Sequence, residues 1–194
     1  MAETSEFFLE LPELTFDPRE LLKIAEEMHD HWKPYVDPGY NSIGASLHLR
    51  HPTNVERAYV QHLRKKLTFV INRHRVMFFR ILPGVLVPPH LDLHPPGMAV
   101  ARQAAIVFPL IPKGPKTGAP IRWHRDGKVV MEHHYSTEYA TMINTQQTHS
   151  VQNNEHERIA FQFSVYEQFA DCVTRYREGT FFTNSLHQPY VPNV

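Results

Sequence analysis

Between Arg75 and Tyr166 the chain is cut into short apolar-rich runs, each closed by a proline, a glycine or a polar turn, and this rhythm restricts the fold more than any other feature. The runs are Arg75–Leu82, closed by Pro83-Gly84; Val85–Pro88; Arg102–Ile111, closed by Pro112; Pro120–His124; Gly127–His133; Glu138–Asn144; and His156–Tyr166. Strands this short and this numerous belong to sandwiches and barrels. The expected core is a double-stranded β-helix, a jelly-roll (cupin-like) variant with an open mouth between its two sheets.

Helical signals flank that core. Asp17-Pro18-Arg19-Glu20 reads as an N-cap, a first-turn proline and a capping-box Glu, and Leu21, Ile24, Ala25, Met28 and Trp32 follow at helical spacing. Pro34 and the Asp37-Pro38-Gly39 turn end that helix. Thr53-x-x-Glu56 is a second capping box, ahead of a stripe of Tyr59, Val60, Leu63, Leu67 and Val70. Both helices are expected to brace the outside of a sheet. Glu167–Glu178 reads as a last helix, and the tail Gly179–Val194 either packs over the mouth or stays loose. The class is mainly β with flanking helices (α+β), in one domain: a helical part over 1–72, a β core over 75–166, and a helix and tail over 167–194.

Composition narrows the partners. With 20 basic and 20 acidic residues the 194-residue chain is formally neutral, so nothing draws it to nucleic acid or an anionic membrane. The Met1–Glu10 stretch is acidic and lacks a signal peptide's basic start, and no apolar run reaches membrane-spanning length. A cytoplasmic protein, monomeric or a small homo-oligomer, is the expectation. One cysteine, Cys172, against 14 histidines excludes an internal disulfide and a cysteine zinc cluster, and makes imidazole the ligand to look for.

His90-x-Asp92 lies between two strand runs, and residues two apart on an extended segment point the same way. Both side chains can then reach one ion, and His149, just before the last strand, offers the third ligand. Two imidazoles and one carboxylate suit Fe(II) and leave positions open for small molecules. An H-x-D pair alone is common on surfaces and turns. The Pro88-Pro89 and Pro95-Pro96 brackets and the later His149 are what lift this one above that background. His94 lacks a carboxylate two residues on; His124, His133 and His134 read as structural or substrate-side groups.

The last strand has two unlike faces: Arg158, Ala160, Gln162 and Ser164 on one, Ile159, Phe161, Phe163 and Val165 on the other. If the polar face looks inward, Arg158 needs an anion, and a planar guanidinium grips a carboxylate with two hydrogen bonds. The far carboxylate of 2-oxoglutarate fits that role. Were the polar face solvated, Arg158 would simply pair with Glu155 or Glu157. Arg102 is in phase with Ala104, Ile106, Phe108 and Leu110 and is either a rim residue or a second anion contact.

The proline-flanked His90, the strand from Arg102 to Leu110-Ile111-Pro112, and His149-Ser150-Val151-x-Asn153 followed by Arg158 resemble the aspartyl/asparaginyl β-hydroxylase branch of the Fe(II)/2-oxoglutarate oxygenases, over Val85 to Tyr166. The resemblance implies a dioxygenase of double-stranded β-helix fold that uses Fe(II), 2-oxoglutarate and O2 and releases succinate and CO2. It implies His90 and His149 as iron ligands, Arg158 as the anchor of the 2-oxoglutarate tail, and Arg102 as a helper. Asp92 departs from the animal peptide hydroxylase of the branch, which has no carboxylate ligand. It favours hydroxylation or desaturation over halogenation. The segment Trp123–Gln147 is also longer than the family pattern.

Arg122, Trp123, His124, His133 and Tyr135 are candidates for a wall facing an amino acid, a peptide side chain or another small metabolite; ordinary strand packing and solvated faces explain them as well. Two alternatives stay open. One is a cupin-type metalloenzyme that does not use 2-oxoglutarate. The other is a non-catalytic jelly-roll module that binds a sugar or a protein.

Overall fold

The computed structural model describes residues 4–27, 32, 57–69, 71–92, 103–111, 118–152 and 156–191, the side chains of 72–75 and 152 excepted. Among the described residues nine strands form two antiparallel sheets. The strands are β1 (Phe8–Thr15), β2 (Ile71–Ile81), β3 (Leu86–His90), β4 (Ala104–Ile111), β5 (Ile121–Arg125), β6 (Lys128–His133), β7 (Tyr139–Asn144), β8 (His149–Gln152) and β9 (Arg158–Val165). The order is β1-β7-β4-β9-β2 in the larger sheet and β3-β8-β5-β6 in the smaller, the jelly-roll-like arrangement that the strand rhythm predicts. Among the described residues three helices accompany them: α1 (Pro18–Glu27), α2 (Ala58–Lys65) and α3 (Phe169–Arg177).

Period-two alternation in the larger sheet builds two cores. Ile159, Phe161, Phe163 and Val165 of β9 and Ala104, Ile106, Phe108 and Leu110 of β4 join Leu21, Ile24, Val60, Leu63, Phe169 and Cys172 of the helices in one buried cluster. The opposite face carries Ala105, Val107, Ile143 and Ala160 toward Phe8, Ile121 and Trp123 in a smaller cluster between the sheets. The polar row of β9 therefore faces inward, as an anion-binding Arg158 requires.

Two elements differ from expectation. Strand β1 falls in the part predicted to be helical only. Its FLELPELT sequence carries two Glu and a proline, yet it is the edge of the larger sheet, and its register on β7 breaks between Leu11 and Thr15, where Pro12 sits. At α1, Arg19 N–H donates to Asp17 Oδ1 at 2.9 Å, so the N-cap forms. The Asp17 N–H that a capping-box Glu20 accepts in that motif donates instead to the Tyr59 hydroxyl, tying α1 to α2. The segment with the second capping box, Val70 and Met28 lie outside the described residues.

Asp126 (φ 52°) and Gly127 (φ 73°) make the tight β5–β6 hairpin, since both central positions need positive φ. Pro109 lies in a central strand, but β4 pairs with β7 only through Ala104 to Val107, so its missing N–H falls beyond that ladder. No helix among the described residues is long and apolar enough to cross a membrane.

Candidate metal centre

The centre is built where β3 meets β8. Strand β3 is the edge of the smaller sheet, where one of two adjacent prolines can turn its missing N–H away from the ladder, and the other falls in the register shift between Val87 and His90. Its register on β8 shifts between Val87 and His90, and His90 then sits directly opposite His149. The two imidazole centroids are 4.3 Å apart. His149 is in turn the register partner of Trp123 on β5; direct partners share a face, so His149 points into the space between the sheets, where Trp123 is fully buried.

Both rings are oriented by backbone. His90 Nδ1 lies 2.9 Å from Pro88 O, and His149 Nδ1 lies 2.9 Å from Gln147 O. A carbonyl only accepts, so each Nδ1 carries the proton and each Nε2 presents a lone pair. Both lone pairs face Asp92: His90 Nε2 is 3.8 Å from its Oδ1, and His149 Nε2 is 3.8 Å from its Oδ2. The Asp92 N–H donates to Thr145 O at 3.2 Å, which fixes the carboxylate's backbone against the turn ahead of β8. One ligand atom from each of the three residues lies within 4.8 Å of the others. Cis ligands held at about 2.1 Å from an ion stand about 3 Å apart, so an ion draws this set inward by less than an ångström each. The donor set, with its tautomers already fixed from the outer shell, fits a divalent metal.

Arg158 is buried at the start of β9. Its Nη1 donates to Ala119 O at 3.3 Å, and its guanidinium carbon stands 4.7 Å from the centre of the Tyr135 ring. Burial pushes the guanidinium below the usual arginine range, the Tyr135 hydroxyl acting in the other direction. Among the described residues no carboxylate pairs with Arg158. Glu157, offered by the sequence as its partner, binds Arg80 instead, and Glu155 lies outside the described residues.

Polar atoms share the inner face with it. Trp123 Nε1, Thr141 Oγ1, Gln162 Nε2 and Ser164 Oγ are buried and, among the described residues, have no hydrogen-bond partner. Thr141 and Gln162 both flank Val107, so they stand in one row across β7, β4 and β9. An unsatisfied buried polar group costs roughly 1–3 kcal/mol, which a polar guest relieves. Thr141 and the Tyr135–Arg158 stacking were not singled out from sequence. Thr141 was findable, since it is in phase with Tyr139 and Ile143 on β7; the stacking joins residues with no pattern in common.

The predicted substrate wall divides. Trp123 and His133 face inward, His133 stacked on Phe8 with centroids 4.0 Å apart. Arg122 and His124 are corrected: they lie on the outer face of the smaller sheet, Arg122 paired with Glu132 at 2.6 Å and His124 Nε2 with Ser150 Oγ at 2.8 Å. Strand alternation forces this, because their neighbour Trp123 points inward. Arg102 and His94 lie outside the described residues.

No family model matches the sequence, and no curated protein matches it. Solved structures do. A prolyl-4-hydroxylase from Pseudomonas putida is similar at a TM-score of 0.50 and 16% identity, over 78% of this chain and 86% of that one. HygX from Streptomyces hygroscopicus, solved with nickel and 2-oxoglutarate bound, is similar at 0.47 and 13% identity, over 81% and 82%. AviO1 from Streptomyces viridochromogenes Tue57 is similar at 0.45 and 15% identity, over 81% and 89%. The chain has the two-sheet fold of the prolyl-4-hydroxylase structure.

Proposed function

We propose that the protein is an Fe(II)- and 2-oxoglutarate-dependent dioxygenase that hydroxylates an unactivated C–H bond of an amino acid, a peptide side chain or another small metabolite. The observation that carries the reading is the convergence of His90, Asp92 and His149, two Nε2 lone pairs and one carboxylate, beside an inner face that holds a buried arginine. Two histidines and a carboxylate on one side of an ion are the donor set of non-haem Fe(II) oxygenases. When bound, the iron supplies the oxidising chemistry, with 2-oxoglutarate leaving as succinate and CO2.

The chain's own residues bind and orient. His90 and His149 hold Nε2 toward the ion because their Nδ1 protons are committed to Pro88 O and Gln147 O. Arg158 receives the 5-carboxylate of 2-oxoglutarate, and Tyr135 keeps the guanidinium flat for a two-pronged grip. Thr141, Gln162 and Ser164 offer hydrogen bonds on the same inner face. Trp123, Phe7 and Phe8 close the space between the sheets against water. The motif around His149 and Arg158 resembles the aspartyl/asparaginyl β-hydroxylase branch, and that likeness supports a part for Arg102 in holding the co-substrate.

The reading favours 2-oxoglutarate over a cupin chemistry without it because such an enzyme has no use for Arg158. The test is turnover: with Fe(II), O2 and carboxyl-labelled 2-oxoglutarate, the protein should release labelled CO2 and succinate even without its prime substrate. Arg158→Ala should reduce that release at least tenfold. Release that is absent from the metal-loaded protein, or unaffected by the substitution, contradicts the reading.

A further inference from the structure

The larger sheet has a second feature on its helix-bearing side, a cavity of about 560 Å³. Its walls come from the end of β1, the start of α1, the C-terminal end of α2 and the tail. The described part of the tail is pinned there and not over the mouth between the sheets. Thr68 Oγ1 donates to Thr180 O and Phe181 O, Leu67 bridges Phe182, and Thr183 N–H donates to Lys66 O.

Charge is separated across this cavity. Lys66 lines one end and is only 6% exposed. Among the described residues its ammonium has neither an ion pair nor a hydrogen bond, and burial pushes it below the usual lysine range. His62 lies beside it and is itself held down by burial and then by the Lys66 charge. Asp17 and Glu20 line the other end, where they adjoin Tyr59; burial, and then these carboxylates, push the Tyr59 hydroxyl up to about 12. Asp17 is already engaged by Arg19 and Glu13 by the Tyr176 hydroxyl, which leaves Glu20 as the lining acid without such a partner among the described residues. Tyr59 and Tyr190 meet edge to face, with centroids 4.8 Å apart, and give the cavity an aromatic wall.

Lys66 buries its stem and opens its ammonium on the cavity without a counter-charge among the described residues, and a guest carboxylate supplies one. We infer that this cavity is a second ligand site for a small zwitterion with an apolar body, of which an α-amino acid is the simplest. Its carboxylate meets Lys66, its ammonium meets Glu20, and its side chain lies on Tyr59 and Tyr190. The metal centre faces the other side of the larger sheet, so both sites fill at once.

The test uses the whole protein and L-phenylalanine as probe, followed by calorimetry and by NMR shifts of the Tyr59 and Tyr190 rings. Saturable binding is expected with a Kd of about 1 mM or tighter. Lys66→Met should weaken it at least tenfold. Glu20→Gln, at a half-exposed surface position that keeps the fold, should weaken phenylalanine severalfold and leave 3-phenylpropionate unchanged. Binding should persist in His149→Ala and with saturating 2-oxoglutarate present, which separates this site from the fate of the oxygenase reading. No saturation, equal affinity in Lys66→Met, or displacement by 2-oxoglutarate overturns the inference.

Discussion

His90 and His149 are direct partners across the β3–β8 ladder, and each turns its Nδ1 onto the carbonyl two residues before it. The same local device, repeated on two strands 59 residues apart in sequence (149 − 90), leaves both Nε2 atoms aimed at Asp92. A ligand set of this kind is preformed: metal uptake fixes no new rotamer, so little side-chain entropy opposes it.

Asp92 supplies the one negative charge of the set. Asp92→Asn keeps the shape and removes that charge. Fe(II) affinity, measured anaerobically by competition with a chromophoric chelator, should fall by at least about 10–100-fold, the loss ordinarily seen even for outer-shell partners. Unchanged affinity means that the carboxylate is not a ligand.

Arg158 sets the affinity for 2-oxoglutarate. Truncating one member of a buried, hydrogen-bonded charge pair costs about 2 kcal/mol or more, so Arg158→Ala should raise the 2-oxoglutarate Kd about thirtyfold or more. Arg158→Lys should recover only part of this, because an ammonium cannot reproduce the planar grip or the stacking on Tyr135. Calorimetry on the metal-loaded protein reads both.

Thr141 trades stability for binding. Its Oγ1 is buried without a partner among the described residues, so Thr141→Val, nearly equal in size, should stabilise the ligand-free protein by about 1 kcal/mol in urea unfolding. It should also weaken 2-oxoglutarate or substrate binding. A destabilised variant would show that the hydroxyl is satisfied in the native protein.

Much of this site was legible in the residues because strand periodicity is strict. The unlike faces of β9 mark which side is interior, and once Phe161 and Phe163 face the helices, Arg158 and Gln162 must face the other sheet. His90-x-Asp92 carries its own geometry in the two-residue repeat. Strand β1 stayed hidden because an edge strand tolerates Pro12 and exposed Glu13, residues that argue against a strand when read without its neighbour β7. The outward turn of Arg122 and His124 required knowing the direction of Trp123, which only packing against Phe7 and Phe8 decides. The tail's place depends on backbone contacts with residues 65–68, which leave no sequence pattern.

Cys172 gives the fold an alkaline limit. The thiol is fully buried, and burial, more than the neighbouring Glu167, pushes it up to about 12 from an ordinary value near 9. The neutral thiol is therefore favoured in the fold, while the unfolded chain ionises from about pH 9 upward. Stability is retained below pH 9 and falls as pH rises toward 12, by up to about 1 kcal/mol per pH unit. The Tyr59 and Tyr176 hydroxyls, both raised from an ordinary value of 10, add a smaller loss over pH 9 to 10 that is common to the parent and the variant. Urea midpoints over that interval should fall in the parent protein and stay flatter in Cys172→Ala.

The most direct measurement is an anaerobic titration of the protein with Fe(II) and then 2-oxoglutarate, followed in the visible spectrum. The parent protein should develop the metal-to-ligand charge-transfer band of a chelated 2-oxo acid at one equivalent of iron, and His90→Ala and His149→Ala should not. A folded, iron-loaded parent protein without the band, or a band that survives both substitutions, contradicts a ferrous centre at these three side chains.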